Sequence, residues 1–112
     1  MKMEVITQRD DLLIQRHIME PGEALPWHVD LCHRFSVVVR GEKLHIEFRE
    51  TGEIATIDVH PGLADWDEPE PRVHRGINAG ATTYEEVVTF YLETPGIDAQ
   101  PVQPLFNAGF EI

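Results

Sequence analysis

The sequence predicts an all-β domain closed into one small barrel. Short apolar or alternating runs, separated by clusters of Gly, Pro, Asn and Asp, recur from end to end, which is the pattern of sandwiches and barrels. No helix of ordinary length is needed to account for any stretch. The 112 residues fit a single domain, since typical domains run to roughly 100–150 residues, so positions 1–112 read as one unit.

Taken in order, Val5-Ile6-Thr7 and Leu12 to Ile18 read as strands that cover a sheet edge or pair across a dimer. Phe35-Ser36-Val37-Val38-Val39-Arg40 and Lys43-Leu44-His45-Ile46-Glu47-Phe48 flank Gly41, so a hairpin is expected there. In the second run Leu44, Ile46 and Phe48 share one face, which should be core, opposite Lys43, His45 and Glu47. Glu50-Thr51-Gly52-Glu53 then turns the chain into a strand from Ile54 to Val59. Pro61-Gly62 is a further break, and Pro69 and Pro71 place the stretch 67–71 in a loop or at an edge, because proline cannot donate to a central ladder. Asn78 to Thr82 is a turn, and the β-branched and aromatic run Tyr84 to Leu92 is the last long strand. After Pro95-Gly96 the tail should pack as extended chain on the outside of the barrel or on a partner subunit.

Apolar residues make up 42% and charged residues 26% of the chain, near the globular averages of about 45–50% and about 25%, which argues for a folded core. Nine basic against twenty acidic residues give a net charge of −11. That balance repels phosphate backbones and anionic lipid, so neither nucleic acid nor a membrane surface is an expected partner. The acidic residues are scattered and read as a solvated surface. The lone Cys32 excludes a disulfide framework, fits a reducing cytoplasm and reads as a small hydrophobe. The start lacks the apolar stretch of a signal peptide, and no run approaches the ~18 residues that span a bilayer, so a cytoplasmic location is expected.

Two punctuated segments carry the chemistry: Gly22-x5-His28-x-Asp30-x3-Arg34-x6-Gly41 and Gly62-x6-Pro69-x-Pro71-x2-His74-x3-Asn78. Their spacing resembles the two signature motifs of the cupin superfamily, G-x5-H-x-H-x3-4-E-x6-G and G-x5-P-x-G-x2-H-x3-N. The resemblance implies a cupin-type double-stranded β-helix, or jelly-roll, barrel. It also puts His28 and His74 on positions that bind a divalent metal in that family. Asp30 stands where the family has its second histidine, and Arg34 where it has glutamate. Pro71 replaces a glycine, and the second motif has one extra residue before its proline.

These departures leave the site open to more than one reading. His28 and Asp30 lie two apart on one strand face. With His74 they make two imidazoles and a carboxylate, a set that suits Fe, Mn, Zn or Ni. Arg34 opposes that set, because a unit positive charge ~5 Å from a divalent ion is repelled by roughly 6–7 kcal/mol at an effective dielectric of about 20. An Asp30–Arg34 pair would withdraw the third ligand. Strand parity cannot be counted across the bend between Asp30 and Phe35, so His33 could face inward instead and complete a three-histidine site. Arg34 could also bind a substrate carboxylate at the barrel mouth, with Trp27 beside His28 as a stacking surface. His17, His45 and His60 lie outside the motifs and are expected to face solvent.

Three functions follow. One is a metal-dependent, oxygenase-type enzyme acting on a small molecule. Another is a metal-free sugar epimerase or isomerase in which Asp30 orients His28 or His74 as general base. The third is a non-catalytic small-molecule binding module. A homodimer is expected, because a second subunit can cover the sheet edges of so short a barrel.

Overall fold

The computed structural model describes residues 1–92; the expected extended tail lies outside them. Nine strands follow in chain order: β1 Lys2–Gln8, β2 Leu12–Met19, β3 His28–Asp30, β4 His33–Arg40, β5 Lys43–Phe48, β6 Ile54–Asp58, β7 Ala64–Asp67, β8 Glu70–Asn78 and β9 Tyr84–Tyr91. They form a five-stranded sheet in the order β1-β2-β9-β4-β7 and a four-stranded sheet in the order β3-β8-β5-β6. All pairings are antiparallel. Among the described residues no helix is long and apolar enough to cross a membrane.

The strands fall close to where the alternation places them, and Leu44, Ile46 and Phe48 do face the interior. The expected hairpin across Gly41 does not form. β4 pairs with β7 and β9 in the first sheet, whereas β5 pairs with β6 and β8 in the second. Gly and its neighbours mark a reversal, but turn chemistry does not say which sheet the next strand joins. Here Gly41, at φ +145°, carries the chain from one sheet to the other. A Cβ at Gly41 would lie 2.7 Å from Cδ2 of Tyr84, so a hydrogen is all the crossing admits.

The proline-rich stretch obeys its chemistry. β7 is the edge of the first sheet. Pro71 falls where the β3–β8 register slips, between the pairs His28↔His74 and Asp30↔Glu70. Between those pairs three residues of β8, Pro71, Arg72 and Val73, oppose one of β3, Val29, so the missing donor of Pro71 interrupts no regular ladder.

Apolar residues close the barrel in two groups. Leu13, Cys32, Val88 and Phe90 form one, with Val29, Leu31 and Leu92 packed on it; Met19, Val38, Val59 and Tyr84 form the other. Between the sheets lies a cavity of about 310 Å³, a size that encloses a small molecule.

Candidate functional site

The register of β3 against β8 sets His28 opposite His74. Their rings approach to 4.6 Å between centroids, tilted by 55°. Two residues along β3, Asp30 turns the same way and is almost fully buried. Its Oδ2 lies 2.7 Å from His74 Nε2 and 3.2 Å from His28 Nε2. Arg34 reaches across from β4 in the other sheet, and its Nη1 donates to the same Oδ2 at 2.9 Å. Three nitrogen groups therefore converge on one carboxylate oxygen.

Each ring is also held from behind. Nδ1 of His28 lies 2.7 Å from the carbonyl oxygen of Pro26, and Nδ1 of His74 lies 2.7 Å from that of Arg72. A carbonyl only accepts, so both Nδ1 atoms carry the proton. Nε2 is then left either to bear a second proton and donate to Asp30, or to offer its lone pair to a metal. Burial opposes charge on His28, but the hydrogen bond and charge of Asp30 outweigh it and raise its pKa. Burial likewise works to raise the pKa of Asp30, and the hydrogen bonds from His28 and His74 with the charge of Arg34 hold it well below the carboxylate range.

The donor set fits a metal. His28, Asp30 and His74 offer ligand atoms that all lie within 4.8 Å of one another. Backbone tethering of Nδ1 is the outer-shell arrangement that fixes the tautomer a metal-binding histidine needs. The Asp30–Arg34 pair expected to withdraw the third ligand does form, with Arg34 anchored also on the carbonyl oxygen of Glu68 at 2.9 Å, so of the Asp30 carboxylate only Oδ1 remains for a metal.

The bend before β4 settles which neighbour faces the site. Arg34, Ser36 and Val38 line the cavity. His33 points to the outer face, stacked on Trp66 at 5.5 Å, with Nε2 3.1 Å from Oε2 of Glu68. It is not brought to the His28–Asp30–His74 group, because two-residue alternation excludes both neighbours from one face. Trp27 is also placed elsewhere: it does not line the cavity, and the Arg75 guanidinium sits 4.2 Å from its ring centroid.

A second polar group lines the cavity from the five-stranded sheet. His17, expected at the surface, is only 4% exposed. Its Nδ1 lies 3.0 Å from Oε2 of Glu86 and its Nε2 2.8 Å from Oε1 of Gln15. The Tyr84 hydroxyl donates to Oε1 of Glu86 at 2.6 Å. Burial would raise the pKa of Glu86, but His17 and Tyr84 hold it below the usual range. In β2 the alternate set Leu13, Gln15, His17 and Met19 is buried, and the position of His17 outside both motifs gives no sign of this. Glu86 did carry a signal, since it alternates with Tyr84, Val88 and Phe90.

No family model matches the chain, and no curated protein matches it. Solved structures do. A cupin domain from Bordetella pertussis Tohama I superposes with a TM-score of 0.71 at 20% identity, covering 80% of this chain and 91% of that one. An RmlC-like cupin with a double-stranded β-helix fold from Methanocaldococcus jannaschii gives 0.65 at 14%, covering 80% and 78%. An oxalate oxidase in complex with the substrate analogue glycolate gives 0.58 at 24%; the match covers 82% of this chain and 47% of the oxidase. The fold is therefore the cupin, or RmlC-like, double-stranded β-helix, as the motif spacing implied.

Proposed function

We propose that the protein is a cupin-barrel small-molecule enzyme whose cavity holds one divalent transition metal on His28, Asp30 and His74. The observation that carries this is the pair of backbone-tethered imidazoles brought together with a carboxylate inside the barrel cavity. Such a two-histidine, one-carboxylate set leaves coordination positions open, and a metal held there supplies Lewis-acid or redox chemistry of the oxygenase type. The protein's own part is to fix the proton of each imidazole on Nδ1 through a backbone carbonyl, so that Nε2 is the atom a metal would take, to orient Asp30 through Arg34, and to shield the site with Phe48 and Phe90. Elemental analysis of untagged protein, reconstituted with Fe, Mn, Zn or Ni in turn, should find close to one bound metal per chain. The double variant His28→Ala/His74→Ala should bind almost none. Absence of stoichiometric metal in the wild type would sink the proposal.

One observation favours a second reading, acid–base chemistry without metal, as in a sugar epimerase or isomerase. Asp30 accepts from His74 at 2.7 Å and from Arg34 at 2.9 Å, so the polar groups satisfy one another with no ion between them. In that case His74 or His28 moves the proton and Asp30 orients it.

A further inference from the structure

We infer that the ligand of this cavity carries a positively charged amine or guanidinium group and is not a carboxylate or phosphate. The inference rests on reading the cavity as a small-molecule site, and it adds the chemical class of the occupant. Five carboxylates line the cavity, those of Asp30, Asp65, Asp67, Glu70 and Glu86, against one guanidinium and three imidazoles; the carboxylate of Glu68 turns outward to His33 and Trp66. The lining therefore stays negative in every protonation state of the histidines, and with neutral imidazoles it stays negative also when Glu70 is set against its partner Arg72. A divalent metal, which requires neutral imidazoles, does not reverse the sign.

The positive groups are also already committed. Both terminal nitrogens of Arg34 are engaged, by Asp30 and by the carbonyl of Glu68, and its Nε is shut away from solvent without a partner. His17 is held between Glu86 and Gln15. No cation is left to receive an anionic ligand.

Asp65 and Asp67 are in the opposite condition. They project into the cavity from edge strand β7, level with Ser36 and Arg34 of β4. Among the described residues neither side chain makes a hydrogen bond or an ion pair. Burial raises the pKa of Asp67, and the charges of Asp65, Glu86 and Asp30 add to that against Arg34, as expected of a carboxylate without a counterion. A ligand ammonium placed there would meet two carboxylates that no side chain among the described residues pairs with.

Calorimetric titration of the full chain, with and without bound Mn²⁺, tests this with three probes: putrescine, oxalate and glycerol. Putrescine should bind, with an affinity that falls as salt is raised, while oxalate and glycerol should not compete. Asp65→Asn/Asp67→Asn should weaken putrescine binding by about tenfold or more, whereas Glu50→Gln in the exposed β5–β6 turn should leave it unchanged. Should the double variant fail to fold, Asp65→Asn alone, at an exposed position, should still weaken binding. Oxalate binding more tightly than putrescine, or putrescine binding that ignores both aspartates, would overturn the inference. Binding of Mn²⁺ without putrescine overturns the inference and leaves the metal reading standing; putrescine binding without metal does the reverse.

Discussion

The carboxamide of Asn78, 1% exposed, joins three parts of the chain. Its Nδ2 donates to the carbonyls of Met19 and Thr82, both at 2.9 Å, and its Oδ1 accepts from the amide of Gly80 at 3.0 Å. Asn78→Ala should cost about 2–4 kcal/mol in urea unfolding, because buried partners lose their bonds. Asn78→Asp should be no better, since a carboxylate would face two carbonyls. Arg34 acts in the opposite sense on metal binding. Arg34→Gln removes a positive charge beside Asp30, and chelator competition should show Mn²⁺ or Zn²⁺ bound about tenfold tighter or more. Glu86 makes a pH prediction. Its folded pKa lies below the ordinary glutamate value, so its contribution to stability is complete above that ordinary value and is lost as pH falls through the folded one. Unfolding free energies measured from neutral pH down to about pH 3 should therefore fall less steeply in Glu86→Gln than in the wild type.

At the scale of elements, glycine positions separate two kinds of cost. Gly41 and Gly52 both have positive φ, +145° and +72°. A Cβ at Gly52 meets open space, so Gly52→Ala should cost only the backbone term, roughly 1–2 kcal/mol. At Gly41 the same change adds a collision with the buried Tyr84 ring, and denaturation should show a distinctly larger loss. Strand positions and turns were legible because alternation and turn residues act locally. The hairpin across Gly41 was misread because the partner of a strand is chosen by packing across the whole chain. His17, expected at the surface because it lies outside both motifs, is carried inward on the β2 face that also buries Leu13, Gln15 and Met19, where Glu86 and Gln15 satisfy it.

The whole molecule shows a further apolar face. Phe35 and Trp66 are cross-strand neighbours on the outer side of the five-stranded sheet, 37% and 54% exposed. Val37 and Val87 pair beside them. A second copy of the chain covering this face would give the expected homodimer. Light scattering should find a dimer that Phe35→Asp/Trp66→Asp converts to monomer. With a net charge of −11 on each chain, association should tighten as salt is added.

The sequence by itself determined the β-barrel class and most of the turns, because two-residue alternation and the placing of glycine and proline are local properties, while the grouping of His28 with His74 was implied by the resemblance of the two motifs to those of cupins. Only the tertiary structure decided that Arg34 faces the cavity while His33 stacks on Trp66, since a bend breaks the parity count between β3 and β4. It also decided that one oxygen of Asp30 gathers three nitrogen atoms, and that His17 and Glu86 form a second polar wall. Those relations join strands far apart in sequence, and cross-strand register, set by how both sheets pack, is what brings them together.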